Sequence, residues 1–373
     1  MKKPFSLIEL MKTAFRWVMP LFYLSVGGFI LIGKYLEPPM LSTAMGGLSI
    51  IYGIYRCALL LKRGGTKPLF AIAVLVLAAS GCNKESKPVP DSPTRGKITI
   101  AVDESYRPVI DAQVTVFDSL SKKAQIMTRY EPMGQALSDL LLDSVQVAIL
   151  PRALSEEELQ VFKRRGFTPQ STMIARDGLA LIVHPSNPDS VLTVDLIRQM
   201  LTGVLSNWKQ LGKDHREGQI RIVFDNEASG SVQYAIDSIC RGHTFAAERA
   251  SAVQSSEEVI AYVAKNPDAI GFLGVNWISD MDDPQAQAFM RGVRVVAVAR
   301  MEGEEAFQPY QAYLATKQYP FIRDVFIINA QARSGLGLGF SSFLASVRGQ
   351  RIVLKSGLLP ATQPIRLGRF HDH

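Results

Sequence analysis

Residues 220–231 read Ile-Arg-Ile-Val-Phe-Asp-Asn-Glu-Ala-Ser-Gly-Ser, and the order of structural signals in this stretch indicates the fold. The β-branched and aromatic run 220–224 predicts a buried strand. The Ser-Gly-Ser that follows predicts the start of a helix over 230–240, since a serine hydroxyl satisfies free N–H groups of a first helical turn. A strand that leads through a short turn into a helix is the repeating unit of an α/β protein.

The same alternation of strand and helix extends over the chain from about residue 97 to residue 369, a length that accommodates two lobes of ordinary domain size. The expected strands are 98–102, 125–130, 145–150, 179–183, 220–224, 269–273 and 293–298. The expected helices are 108–120, 133–142, one opened by Ser155, 193–201, 230–240, 256–265 and a C-terminal stretch that begins at 340–347. This alternation predicts parallel sheets with helices on both faces.

The net charge of the chain is located at its N-terminal end. Residues 1–82 contain nine basic and two acidic side chains, which account for the whole net charge of +7. The globular part is therefore neutral overall, and its charge excludes a nucleic-acid-binding protein of the usual basic type.

Two long apolar stretches, residues 14–33 and 40–61, precede the globular part, and each is long enough to span a bilayer. Basic residues flank the pair on both outer sides, so the positive-inside rule places both flanks in the cytoplasm and the turn 34–39 outside. Residues 1–67 are accordingly expected to form an α-helical transmembrane hairpin. Within the two stretches Arg56 is the ionisable residue farthest from an end, so the hairpin is interpreted as an anchor and not as a transporter.

A third apolar run, 69–80, is too short to span and ends in Gly81-Cys82. Its basic flank and its length are typical of a secretory signal. A Cys after small residues and Gly resembles the lipobox of bacterial lipoproteins, which implies that the Cys82 thiol is acylated and that the chain is then cut before Cys82. The alternative is a buried Cys at the end of an ordinary membrane segment. Residues 68–82 are thus expected to be a lipoprotein-type signal, and 83–96, rich in Lys, Ser, Pro and Asp, a flexible linker.

The chain lacks the usual sequence signals of a metal site, a cofactor site or an active site. The exported part contains one cysteine, Cys240, and the five histidines show no ligand spacing. The glycines at 335–339 follow no βαβ start, so they do not predict a dinucleotide site. No histidine is placed to activate a serine of the Ser-Gly-Ser turn. We therefore expect no metal, no cofactor and no enzymatic activity.

Three groups of motifs in residues 97–365 resemble the extracytoplasmic solute-binding proteins of ABC transporters, specifically the phosphate-binding, PstS-like branch. They are Ala-Arg-Asp-Gly-Leu-Ala-Leu-Ile-Val-His-Pro-Ser-Asn-Pro at 175–188 with Gly-Val-Leu-Ser-Asn-Trp-Lys at 203–209, Asn-Glu-Ala-Ser-Gly-Ser at 226–231 with Ala-Ile-Gly-Phe-Leu-Gly at 269–274, and a C-terminal run from Gly339 to Pro360.

The resemblance implies a two-lobed periplasmic-binding-protein fold of type II, in which the lobes close over a ligand. Residues 97–180 and 291–373 would form the first lobe and residues 181–290 the second. It also implies a membrane-anchored protein whose soluble part is periplasmic. Its partners would be inorganic phosphate or a similar oxyanion, the membrane, and an ABC permease or another membrane complex.

Ser229, Gly230 and Ser231 match the Ser-Gly-Thr segment that the family uses to bind phosphate. A helix N-terminus there would direct N–H groups and a favourable dipole towards an anion. The chain departs from the family four residues earlier, where Asp225 replaces an Arg, and an aspartate would repel phosphate. The alternative interpretation of Ser229 is an ordinary helix N-cap.

Four further residues are candidates for ligand binding. Ser105 lies in the loop after the first strand and either donates to the ligand or caps the next helix. Arg152 follows the strand 145–150 and is the best replacement for the missing cation, or else an exposed surface Arg. Asp177 either accepts a hydrogen bond from a protonated oxyanion or caps a turn before Gly178, and the turn is favoured. Asn226 follows Asp225 in the turn of the Ser-Gly-Ser motif.

Two functions are compatible with these residues. The first is a membrane-tethered binding protein that captures phosphate or a related oxyanion for an ABC importer. The second is a binding-protein fold that acts as a sensor or scaffold subunit of a membrane complex, without phosphate transport.

Overall fold

The computed structural model describes residues 92–212, 217–280, 282–331 and 334–362, together with Pro20, Phe22, Tyr23, Val26, residues 48–53, Tyr55, Arg56 and Leu59. The chain divides into two compact units, residues 1–87 and residues 88–373.

The described residues of the N-terminal unit are helical. The rings of Tyr23 and Tyr52 pack edge to face with centroids 5.0 Å apart, and Arg56 Nε donates a hydrogen bond of 3.2 Å to Tyr52 Oη. In the part of the chain that the structure describes, no helix is both long and apolar enough to cross a membrane. Most of the expected hairpin, and the whole signal segment with Cys82, lie outside the described residues.

The second unit alternates strands and helices, as the sequence predicts. Its strands are β1 (Arg95–Asp103), β2 (Lys123–Glu131), β3 (Val147–Leu150), β4 (Gln170–Val183), β5 (Val191–Thr193), β6 (Arg221–Phe224), β7 (Ala250–Ala252), β8 (Ala269–Gly274), β9 (Arg294–Val295), β10 (Ala297–Ala299), β11 (Ile322–Asn329) and β12 (Leu359–Pro360). Arg95 and Gly96, expected in the linker, already belong to β1.

The helices are α1 (Arg107–Leu120), α2 (Met133–Leu141), α3 (Glu156–Arg164), α4 (Val194–Leu201), α5 (Gly230–Tyr234), α6 (Ser256–Val263), α7 (Pro284–Gly292), α8 (Gln311–Ala315), α9 (Leu336–Ala345) and α10 (Val347–Lys355). The helix expected over 230–240 is α-helical only as far as Tyr234 and continues as a π-helix over Ala235–Cys240.

Ten strands of the described chain form one continuous sheet because β4 is long enough to take part in both lobes. The order along the sheet is β2-β1-β3-β11-β4-β8-β6-β7, with β9 and β12 also paired to β4. Residues 170–178 of β4 pair with β11, and residues 179–183 pair with β8. The first lobe is therefore built on β1, β2, β3, β11 and the first part of β4, and the second on the rest of β4 with β6, β7, β8 and β9.

The period-2 alternation of a strand places the core on both faces of the sheet. Ile100 and Val102 of β1 belong to an apolar cluster that also contains α1 and α9 residues, whereas Ala101 between them packs with α2 and α3 residues. In the second lobe Ile182 belongs to the cluster that includes α6, and Leu181 to the one that includes α4. Helices on both faces confirm the α/β prediction. The expected all-parallel sheets are not found, because β11 and β4 pair antiparallel with their neighbours and make the sheet mixed.

Strand β11 is not among the strands expected from the sequence, although it lies between β3 and β4 in the first lobe. Residues 294–299, expected in the first lobe, instead form β9 and β10, which pair with β4 and β5 in the second lobe. We therefore propose that the chain returns to the first lobe near Phe321, immediately before β11, and not at residue 291.

Candidate functional site

The carboxyl ends of β1 and β3, which are parallel neighbours in the first lobe, and of β6 in the second lobe meet at one place between the lobes. Asp103 is the last residue of β1, Pro151 follows β3, and Asp225 follows β6. Asp103 and Asp225 are almost fully buried. Ligand sites of α/β proteins lie at such strand ends, so these residues mark the candidate cleft.

The turn Glu104–Tyr106, which follows β1, connects the two lobes. Asp103 Oδ1 accepts a hydrogen bond of 2.9 Å from Ser105 N, which sets the conformation of the turn. Ser105 Oγ donates to Asp225 Oδ2 at 3.3 Å, and Ser105 O accepts from Trp277 Nε1 at 2.9 Å. Ser105 therefore lies in the cleft, as expected, and its hydroxyl is directed at a carboxylate of the other lobe.

Ser229 caps α5 and accepts a hydrogen bond of 3.2 Å from Val232 N. Gly230 follows at a position where a side chain has no room. A Cβ there would lie 2.5 Å from Pro151 Cγ and 2.6 Å from Asp103 Oδ2. The Ser-Gly-Ser turn therefore touches the ends of both β1 and β3, and Ser229, which caps the helix, also lines the cleft. Its role in ligand binding stays a prediction.

A buried cation next to the cleft is Arg323 on β11, which is not among the residues expected from the sequence. Its guanidinium is buried, lies 2.8 Å from Asp177 Oδ2, donates to Ser231 Oγ at 3.4 Å and stacks over the Tyr106 ring at 5.5 Å. The available sequence signal is Arg323, two residues before the apolar run 325–328, because an Arg inside a buried strand requires a partner.

Two expectations about charged residues are wrong. Arg152 is not free to bind an anion, because NH1 and NH2 donate to the two carboxylate oxygens of Glu158 at 2.8 and 2.7 Å. Asp177 does not cap a turn: it lies inside β4, where Oδ1 accepts from Val275 N at 3.1 Å and Oδ2 accepts from Arg323 Nε at 2.8 Å. The protein itself therefore occupies both oxygens of Asp177.

Asn226 shapes the turn, since its Oδ1 accepts a hydrogen bond of 2.9 Å from Ala228 N. Together with Ser229, Asp103, Glu104 and Asp225 it lines a cavity of about 80 Å³, which Arg107, Tyr130, Glu131, Pro132 and Gln254 complete. Of the predicted site residues, Asn226 and Ser229 line this cavity. Ser105, Gly230 and Ser231 lie beside it, in contact with Asp225, Asp103 and Arg323 respectively. Arg152 and Asp177 do not line this cavity.

Burial raises the pKa of the acidic groups in the cleft. The pKa of Asp225 rises to about 6, mainly through burial and then through the charge of Asp103. Burial also raises the pKa of Glu104 to about 7, although Ser256 Oγ donates to it at 2.9 Å. One oxygen on each of Asp103, Glu104 and Asp225 has no hydrogen-bond partner among the described residues. The cleft therefore favours protons or a ligand that supplies hydrogen-bond donors.

The arrangement is that of a two-lobed α/β ligand-binding protein. Residues 87–348 match the family model described as a PBP superfamily domain, and the chain belongs to this superfamily.

Curated proteins with similar sequences are phosphate-binding proteins. The chain is 24% identical over 307 residues to the phosphate-binding protein PstS of Bacillus subtilis, covering 79% of this chain and 92% of that protein. It is 22% identical over 271 residues to PstS of Borreliella burgdorferi, covering 70% of this chain and 89% of that protein.

The fold is similar to that of a putative phosphate ABC transporter substrate-binding protein with bound phosphate from Clostridium perfringens, with a TM-score of 0.60, 24% identity and coverage of 72% of this chain and 100% of that one. An ABC-type phosphate transport receptor from Vibrio cholerae gives a TM-score of 0.54, 20% identity and coverage of 71% and 100%. At these identities the solved structures establish the two-lobed fold.

The raised pKa of Glu104 makes stability depend on pH with a definite sign. Its pKa rises from 4.5 to about 7 in the folded protein. The contribution of protonated Glu104 to the free energy of unfolding is therefore complete below pH 4.5 and is lost as pH rises through 7. We expect Glu104→Gln, which keeps an acceptor for Ser256, to flatten this dependence and to raise the free energy of unfolding at pH 8 by on the order of 2 kcal/mol. Denaturant unfolding of both proteins at pH 5 and pH 8 measures this free energy.

The matched control is Glu248→Gln, since Glu248 is exposed. If the free energy of unfolding of Glu104→Gln depends on pH as that of the wild-type protein does, ionisation of Glu104 does not destabilise the folded protein and the prediction is wrong.

Proposed function

We propose that this protein is the extracytoplasmic binding component of an ABC importer and captures phosphate or a closely related protonated oxyanion between its lobes. The observation that carries the proposal is the position of the Ser-Gly-Ser turn. Ser229, Gly230 and Ser231 meet the end of β1 in the cleft, with the Arg323 guanidinium 3.4 Å from Ser231 Oγ. The match to phosphate-binding proteins over most of the chain supports the ligand class.

The carboxylates of the cleft define the form in which the ligand binds. A fully deprotonated anion would be repelled by Asp103 and Asp225, and Arg323 is already paired with Asp177. An oxyanion that keeps its protons donates hydrogen bonds to these carboxylates instead, and satisfies their unpartnered oxygens. Phosphate has such protons near neutral pH and sulfate has none, so the site is suited to phosphate over sulfate.

Calorimetric titration of the full-length chain with phosphate and with sulfate at pH 6 and pH 8 tests this proposal. We expect phosphate to bind more tightly at pH 6, because Asp225 has a pKa of about 6 and its protonation removes a repulsion. Each proton taken up with the ligand changes the affinity by up to roughly tenfold per pH unit.

Sulfate binding as tight as phosphate binding, or phosphate binding that strengthens towards pH 8, would contradict the proposed protonated ligand. Absence of binding for either anion would favour the second function, a sensor or scaffold subunit. The engagement of Arg152 by Glu158 and of Arg323 by Asp177 is the observation that favours that alternative.

Ser229 provides a direct test of the ligand position. Loss of a hydroxyl that contacts an anion weakens binding by roughly tenfold to a hundredfold, so we expect this decrease in phosphate affinity for Ser229→Ala. Because Ser229 also caps α5, the matched control is Ser346→Ala, which removes the N-cap hydroxyl of α10. Equal affinities of the wild-type protein and Ser229→Ala would remove Ser229 from the binding site.

We also propose that the protein is anchored to the membrane in the cell envelope, by lipid on Cys82 or by the N-terminal hairpin, with residues 97–373 outside the cytoplasm. Multiple acylation of a lipoprotein Cys provides a stable anchor, unlike a single chain. We expect labelled palmitate to enter the wild-type protein and not the Cys82→Ser variant, and the labelled product to lack residues 1–81. An unlabelled full-length product from both would leave the hairpin as the anchor.

A further inference from the structure

One arginine lines the candidate cleft itself. Arg107 is the first residue of α1, directly after the Glu104–Tyr106 turn, and it shares the wall of the cavity of about 80 Å³ with Asp225. Neither Arg152 nor Arg323 lines this cavity. Among the described residues that do line it, Arg107 is the one with a basic side chain.

The charge of Arg107 is not used by the described part of the protein. Other arginines in and around the first lobe are each paired with a carboxylate: Arg129 with Glu131, Arg152 with Glu158, Arg176 with Asp324 and Arg323 with Asp177. No ion pair joins Arg107 to a carboxylate of the described residues. Its Nε is buried without a hydrogen-bond partner there, whereas its two terminal nitrogens are accessible. They are therefore available to a ligand.

An aromatic ring holds this guanidinium in place. The guanidinium carbon of Arg107 lies 4.8 Å from the centroid of the Tyr130 ring, and Tyr130 also lines the cavity. Tyr130 Oη donates a hydrogen bond to Asp111, one turn further along α1, which fixes the ring. Arginine stacks well on an aromatic face. The side chain is thus positioned before a ligand arrives, which reduces the cost of ordering it on binding.

Arg107 also lines a larger cavity, of about 260 Å³, and the acids of that cavity do not engage it. These acids are Asp111, Glu257, Asp280 and Asp283. Asp283 instead caps α7, and Glu257 accepts from Gln285 Nε2. The larger cavity therefore contains no ion pair, among the described residues, that holds the guanidinium away from the cleft.

We propose that Arg107 is the cation that binds the oxyanion, an inference that rests on the proposed function. Its terminal nitrogens donate to the unprotonated oxygens of the ligand, while Asp103 and Asp225 accept hydrogen bonds from the protonated ones. A guanidinium is a donor only and a carboxylate an acceptor only, so the cleft recognises an anion that carries both kinds of oxygen. Arg107 thereby supplies the positive charge that Asp225 cannot.

Calorimetric titration of the full-length chain with phosphate, for the wild-type protein, Arg107→Gln and Arg107→Lys, tests the inference. Arg107 has no described carboxylate partner, so its replacement leaves no buried acid unpaired and the fold is retained. We expect Arg107→Gln to weaken phosphate binding by roughly tenfold to a hundredfold. Arg107→Lys should lose less, because it keeps the charge although it lacks the planar fork.

The matched control is Arg291→Gln, which removes the same charge from an exposed position on α7 that does not line the cavity. We expect it to bind phosphate as the wild-type protein does. Equal affinities of the wild-type protein and Arg107→Gln would overturn the inference. Equal losses in Arg107→Gln and Arg107→Lys would also overturn it, because both lose the guanidinium on Tyr130 and only one loses the charge.

The wild-type titration separates this inference from the proposed function. If the wild-type protein binds phosphate and either of these two results is obtained, the proposed function stands and Arg107 is not the cation. If the wild-type protein does not bind phosphate, the proposed function fails, and the role of Arg107 fails with it.

Discussion

The buried ion pair between Arg323 and Asp177 is the interaction on which the geometry of the cleft depends. The two residues are direct partners in the antiparallel register of β11 and β4, and their side chains are 2% and 0% exposed. Each charge would be strongly destabilising alone, because removal of one partner of a buried pair costs about 3–5 kcal/mol. The pair also contacts the surrounding elements, since Asp177 accepts from Val275 N and Arg323 reaches Ser231. The crossing strands and the ligand-binding turns are thus held in one arrangement.

One guanidinium does not compensate the acids that surround it. Asp103, Glu104 and Asp225 line the cleft next to the Arg323–Asp177 pair, and burial raises the pKa of all three. The cleft is therefore costly to hold in its fully ionised form, and a proton or a donor ligand relieves that cost. The same carboxyl groups that reduce stability at high pH are those suited to accept hydrogen bonds from a protonated oxyanion. The pH dependence of stability and the protonation state of the bound ligand therefore depend on the same residues.

The sequence predicts those parts of the fold and the site that depend on local patterns. Period-2 and helical patterns locate most strands and helices, and the Ser-Gly-Ser turn is identified from three consecutive residues because a helix cap is a local feature. Which arginine lies next to the site cannot be predicted from the local sequence. Arg152 is favoured because it follows a strand end, but Glu158, six residues later, pairs with it. Arg323 reaches the site only because β11 inserts between β3 and β4, and this long-range pairing leaves no periodic signal near residue 177.

The turn Glu104–Tyr106 is a direct link between the two lobes at the cleft. Glu104 accepts from Ser256 at the start of α6, Ser105 donates to Asp225 after β6, and Ser105 O accepts from Trp277 after β8. These three contacts join the first lobe to three separate elements of the second. The same turn thus joins the lobes and positions Asp225 in the cleft.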